Sequence, residues 1–187
     1  MIDYLFSIDH SKARSNGLKV ASENIFDKYL IYPLVEIVSS NVHARISMLD
    51  YYIPNLFTFF SFVSRAVGIY ALLYDNYKLA AVGFLVGYWF DCADGFYARK
   101  YDTCTNFGCL FDHTNDFVMF VLLAFVCMSK NMHTTVVLIL FMAFFSLNEI
   151  AWTESEFNSP TAYFDVLCKM SNNFHILDKS FIKYFGT

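Results

Sequence analysis

Asp91, Asp94, Asp112 and Asp116 are the residues best equipped for chemistry in this chain, and all four fall in one stretch, DCADGFYARKYDTCTNFGCLFDHTND. Carboxylates hold hard cations and move protons. Here both flanks are apolar: LAAVGFLVGYWF precedes the stretch and FVMFVLLAFVCM follows it. An aspartate at the centre of a membrane helix costs roughly 2.5 to 3.5 kcal/mol. Four together need a partner that offsets this, and a divalent cation is the natural one. The spacing agrees. Asp91, Asp94 and Ala98 stand at i, i+3 and i+7, on one helix face. Gly108, Asp112 and Asp116 stand at i, i+4 and i+8, again on one face. Two helices joined by a short polar turn bring these faces together as an all-oxygen pocket. Such a pocket suits Mg2+, Mn2+ or Ca2+ and not zinc or copper.

The elements that must position these acids read as membrane helices. Of the 187 residues, 57% are apolar and 20% aromatic, and the mean hydropathy is +0.41. That exceeds the apolar share of soluble domains. The expected fold is all-α, a polytopic membrane helix bundle with four clear spans. The first begins near Pro54 in YYIPNLFTFFSFVSRAVGIYALLY, where proline suits a first turn and Tyr51 and Tyr52 suit an interface belt. The second runs from about Leu79 into the acidic stretch, the third over about 107–128 and the fourth over about 134–150. Residues 51–150 thus form a transmembrane domain. Residues 1–50 form a cytoplasmic and interfacial segment, in which FDKYLIYPLVEIVSS is amphipathic and too short to span. It reads as a helix lying on the membrane or as an ordinary connector. Residues 151–187 read as a polar tail or degenerate last helices.

Charge fixes an expected orientation. With the N-terminus in the cytoplasm, Lys12, Arg14, Lys19, Lys28, Arg45, Arg99, Lys100, Lys169, Lys179 and Lys183 lie inside, against Lys78 and Lys130 outside. The acidic stretch then faces the cytoplasm. A net charge of -4 leaves no basic footprint for nucleic acid. Five scattered cysteines make no disulfide framework. The start, MIDYLFSIDHSK, lacks the basic and apolar regions of a cleaved signal. Arg65 lies within the first span, either to meet a phosphate or an acid inside the bundle or to snorkel towards headgroups.

Read as a pattern, the stretch is D-x2-D-G-x2-A-R-x8-G-x3-D-x3-D, carried by Asp91, Asp94, Gly95, Ala98, Arg99, Gly108, Asp112 and Asp116. This resembles the signature of the CDP-alcohol phosphotransferase family at every fixed position. Pro54, Asn55 and Thr58 resemble the P-N-x-x-T entry to the first span of that family. The resemblance implies phosphoryl transfer from a CDP-linked donor to an alcohol, with release of CMP and with Mg2+ or Mn2+ as cofactor. It implies Asp91, Asp94 and Asp112 as metal ligands, and Asp116 as the base on the alcohol and a further metal contact. It implies Gly95, Ala98, Arg99, Gly108 and Asn55 around the nucleotide. For Asn55 a helix cap is the bland reading, and for Arg99 an anchor at the end of the span. The family more often has six spans; the last pair reads as absent or degenerate here, and the two ways to close the bundle are those degenerate helices or a partner subunit in a homodimer.

The string Gly108-Cys-Leu-Phe-Asp-His resembles the choline and ethanolamine phosphotransferase branch, in which His113 would be a catalytic proton carrier. The plain alternative for His113 is a hydrogen bond to a metal-binding acid. The glutamate that partners this histidine in that branch has no match near Asp165. Two arrangements therefore stay open. Either CDP-choline or CDP-ethanolamine donates to diacylglycerol, or CDP-diacylglycerol donates to a small polar alcohol. The expected membrane is the endoplasmic reticulum in a eukaryote and the plasma or inner membrane in a bacterium. Two other classes compete: an inactive or partner-dependent relative, and an ion- or proton-conducting protein using the same acids.

Overall fold

The structure is a computed structural model that describes residues 5–18 and 27–140. Four long helices dominate. A wide π-type turn, Asp27–Ile31, leads into α1, Tyr32–Ile46. Then follow α2, Ile53–Leu73, α3, Tyr77–Lys100, and α4, Asn106–Ser129. The last three are long and apolar enough to cross a membrane. No strand occurs among the described residues beyond a single bridge between Ile8 and Thr105. The helix bundle expected from composition is therefore present. Of the expected fourth span, residues 133–140 are helical. Its remainder and the 151–187 tail lie outside the described residues.

Local sequence explains where the helices begin and end. Pro54 sits in the first turn of α2 and Pro33 in that of α1, where a missing N–H costs least. Asn76 caps α3 by accepting from the Leu79 N–H at 3.2 Å. The ends of α2, α3 and α4 share one device. Asp75, Asp102 and Asn131 take left-handed backbone with φ of 57°, 54° and 58°. The N–H groups of Asn76, Thr103 and Met132 then reach back to the carbonyls of Ala71, Ala98 and Cys127 at 3.0, 2.9 and 2.8 Å. Short polar side chains do here what glycine does at most helix ends.

Small residues set how closely α2 and α3 cross. A Cβ at Gly83 would lie 2.8 Å from the Gly68 backbone, so the two helices meet backbone to backbone. Ala80, Gly83 and Gly87 are buried along this seam. The opposite sides carry Phe59, Phe60, Val63, Val67, Val82, Leu85 and Val86, all exposed. On α4, Phe117, Val121 and Phe125 are exposed as well. Large apolar side chains turned outward on every long helix match a hydrocarbon surround.

The helix expected in FDKYLIYPLVEIVSS is present and continues to Ile46. It buries Ile31, Tyr32 and Val35 against Ile53, Phe57, Ala93, Phe96 and Tyr97, the core between α1, α2 and α3. Its other side leaves Leu30, Leu34, Ile37 and Val38 exposed. Polar ties hold it as well, among them Lys100 to Glu36 at 3.0 Å, His43 to Asp50 at 2.7 Å, and the Tyr88 hydroxyl to Asp27 in the turn before it.

Residues 5–18 form a strap across the connection between α3 and α4. Phe6 stacks on Phe107 with ring centroids 5.0 Å apart. The Asp9 N–H donates to the Cys104 carbonyl at 2.7 Å, and the Arg14 N–H to the Arg99 carbonyl at 2.8 Å. His10 meets Asp102 at 2.6 Å. Gly17, with φ of 69°, packs where a Cβ would strike the Phe96 ring at 2.7 Å.

Candidate active site

Helix register puts the functional residues in three tiers above the connection between α3 and α4. α2 and α4 start at that end and α3 finishes there. Asn55 is two residues into α2 and Gly108 two into α4. Thr58 is five into α2 and Asp94 six from the end of α3. Arg65 is twelve into α2, Asp91 nine from the end of α3 and Asp116 ten into α4. At about 1.5 Å per residue the acids stand about 9 to 15 Å in from the helix ends.

The innermost tier holds the charges. Single carboxylate oxygens of Asp91, Asp112 and Asp116 all lie within 4.8 Å of one another. Oxygens bound to one Mg2+ or Ca2+ at about 2.1 to 2.5 Å are separated by at most about 4 to 5 Å. Three hard oxygen donors at that separation therefore fit a divalent cation. Arg65 enters the same cluster. Its Nη2 lies 2.6 Å from Asp91 Oδ1, and its Nη1 donates to Asp116. Of the two sequence readings of Arg65, the acid inside the bundle is the one observed.

The middle tier sets Asp94 apart. Asp94 is buried, and the Thr58 hydroxyl lies 2.5 Å from its Oδ2. That hydroxyl is also 3.1 Å from the Pro54 carbonyl, but it has one proton and the carboxylate is the stronger acceptor. Asp94 thus takes a partner of its own, at the depth of Asp112 and one turn nearer the helix end than Asp91. The structure brings Asp91, Asp112 and Asp116 together and puts Asp94 beside them on a separate partner.

In the outer tier, a Cβ on Gly108 would lie 3.2 Å from Asn55 Oδ1 and 3.1 Å from Thr105 Oγ1. Asn55 is not the cap: Tyr52 holds that position and makes no side-chain cap hydrogen bond. Arg99 Nε donates to the Gly17 carbonyl at 2.8 Å, and its Nη1 lies 2.9 Å from where a Gly95 Cβ would be. The strap therefore holds the Arg99 guanidinium over Gly95. Ala98 completes this face, half-buried. His113 follows Asp112 on α4, and its Nδ1 lies 2.8 Å from the Cys109 carbonyl one turn back. That carbonyl only accepts, so Nδ1 carries the proton and a neutral ring keeps its acceptor at Nε2.

Two residues that sequence reasoning passed over lie deeper, at or beyond the innermost tier. Gly87 sits one turn before Asp91, and a Cβ there would lie 2.5 Å from Arg65 Cγ. The visible signal was the four-residue spacing Gly83, Gly87, Asp91. Asn115, between Asp112 and Asp116, is buried with neither amide atom hydrogen-bonded among the described residues. Nothing in its local sequence marked it.

The fold and site together are a membrane-capable helix bundle with three carboxylates placed to fit a divalent cation. The chain belongs to the CDP-alcohol phosphatidyltransferase family, whose model matches residues 51–171. Members are transferases of membrane phospholipid synthesis that bind CDP-alcohol donors and alcohol acceptors and use divalent metals. No curated protein and no solved structure matches the chain.

Proposed function

We propose that this protein transfers a substituted phosphate from a CDP-linked donor to an alcohol inside a membrane and releases CMP. The observation that carries this is the convergence of Asp91, Asp112 and Asp116 within 4.8 Å, in a chain of this family. Asp91, Asp112 and Asp116 would hold Mg2+ or Mn2+, with Asp94 supplying a further carboxylate from the next tier. The bound metal would neutralise the donor's pyrophosphate and hold attacking and leaving oxygens in line.

The protein's own residues do the rest. Gly95 and Gly108 lack side chains where a nucleotide needs backbone approach. Asn55 and Thr105 line the Gly108 side, and Arg99 can fork onto a phosphate from the Gly95 side. The acceptor hydroxyl attacks the β-phosphorus. A new oxygen–phosphorus bond forms, the bond to the oxygen bridging the two phosphates breaks, and CMP leaves. The hydroxyl proton goes to a base. Asp116 is one candidate, although Arg65 already engages it. His113 is the other, with Nε2 as its acceptor. Together with the G-x-L-F-D-H string this favours a CDP-choline or CDP-ethanolamine donor and a diacylglycerol acceptor.

The test is CMP release by the purified protein in lipid micelles with Mg2+ or Mn2+. CDP-choline, CDP-ethanolamine and CDP-diacylglycerol are offered separately, the first two with diacylglycerol and the third with inositol, serine or glycerol phosphate. The expected result is metal-dependent CMP from CDP-choline or CDP-ethanolamine. His113→Gln should lower the rate by about 10² to 10⁴ while leaving Mn2+ binding intact. CMP from CDP-diacylglycerol alone reverses the assignment of donor and acceptor. No CMP from any donor overturns the enzyme reading in favour of an inactive relative.

A further inference from the structure

Arg65 is a charged residue buried in mid-span, and its surroundings are arranged for it. Its side chain is only 13% exposed. An arginine in a membrane helix is costly and needs partners, and it has two, on two different helices. Its fork joins Asp91 of α3 to Asp116 of α4. Both belong to the group whose oxygens lie within 4.8 Å of one another. The guanidinium is therefore bound to two of the three carboxylates that a divalent cation would take.

Space has been made for it. Gly87 lies one turn before Asp91, and a Cβ there would come within 2.5 Å of Arg65 Cγ and 3.2 Å of the Ser61 carbonyl. The arginine stem crosses α3 over this bare position. Any larger residue at 87 would push the stem aside and draw the fork away from Asp91. The close approach of α2 and α3 at Gly83 and Gly68 fixes the distance the stem must reach. One guanidinium enters the group of three carboxylates, Asp91, Asp112 and Asp116, and pairs with two of them. The fork thus offsets part of the repulsion while leaving the site negative.

We propose that Arg65 is a built-in competitor for the divalent cation, a positioning residue that holds Asp91 and Asp116 together without metal and yields at least one of them when metal enters. This rests on the metal-dependent reading of the site given above. Two consequences follow. Without metal, Arg65 ties α2, α3 and α4 into one unit. With metal, it subtracts from the affinity, because the ion must displace one positive group and sit beside it. Metal affinity is then held down by an internal cation, and the released fork remains within reach of the incoming pyrophosphate.

The experiment is Mn2+ titration of the purified full chain in detergent micelles, read by the electron paramagnetic resonance signal of free Mn2+. Thermal melting with and without Mn2+ is followed in parallel. Arg65→Gln removes the charge. Gly87→Ala keeps the charge and displaces the stem, and serves if Arg65→Gln does not fold. Both variants should bind Mn2+ more tightly than the wild type, Arg65→Gln by roughly tenfold or more. Both should melt lower without metal and gain more from it. Equal Mn2+ affinity in wild type and variants, with only the melting point lowered, would make Arg65 a plain structural pin and overturn the inference. Weaker binding in the variants would make Arg65 an aid to the metal and overturn it as well. No Mn2+ bound by wild type or variants would remove the metal reading itself, an outcome distinct from equal affinities.

Discussion

A single hydroxyl shows how the residues of this site depend on one another. Thr58 reaches Asp94 across the seam between α2 and α3 at 2.5 Å, and both are buried. A hydrogen bond to a buried charged group contributes about 1.5 to 3 kcal/mol. Thr58→Val should lose about that much stability and much of the activity, whereas Thr58→Ser should keep both. Chemical denaturation in micelles measures the first and CMP release the second. A Thr58→Val protein as stable and active as the wild type would mean that Asp94 does not need this donor. At this scale much was legible. The periodicity of Asp91, Asp94, Asp112 and Asp116 put the acids on facing helix sides, because helical spacing is local. That Asp94 takes its own partner, and that Arg65 spends its fork on Asp91 and Asp116, depend on where α2 crosses α3, which no local pattern encodes.

The elements owe their positions to small residues and to the strap. Gly68, Gly83 and Gly87 bring α2 against α3, and α1 packs Tyr32 and Val35 on Phe96 and Tyr97. The start of α2 at Pro54 and the helix through FDKYLIYPLVEIVSS were readable from proline position and apolar content. The strap was not. Residues 5–18 are polar and short of apolar spacing, and they are held by two backbone hydrogen bonds to Cys104 and Arg99 and by side chains far away in sequence, such as Phe107 and Asp102. Cys104 reports on it. Burial under the strap pushes its thiol up to about 11. The thiol therefore stays protonated through neutral pH and becomes reactive only as pH rises towards that value. With the other cysteines changed to serine, iodoacetamide labelling of Cys104 should rise about tenfold per unit from pH 7 to 10 without levelling off. A plateau near pH 9 would mean that the strap leaves the thiol open to water.

At the scale of the whole molecule, three membrane-capable helices carry an acidic cluster about 9 to 15 Å in from their shared end. Acids gathered within about three turns of one end, with Arg65 among them, suit a stationary site for phosphate better than a conducting path, which would spread them along the whole membrane normal. Composition and hydropathy made the bundle legible, because hydrocarbon demands long apolar helices whatever the packing. The identity of the donor was not legible, since the features around the acids that resemble the family serve more than one partition of lipid and headgroup. The central claim concerns a single phosphorus atom. The most direct measurement uses CDP-choline labelled at either the α- or the β-phosphorus, diacylglycerol, Mg2+ and the purified protein, with Asp116→Asn alongside. Attack at the β-phosphorus predicts β-label in chloroform-soluble lipid and α-label in CMP, with neither moved by Asp116→Asn. Substituting labelled CDP-diacylglycerol and a polar alcohol predicts the same division if that is the donor. Label that stays in the donor in both cases, or β-label that appears in water-soluble phosphate instead of lipid, would contradict the account.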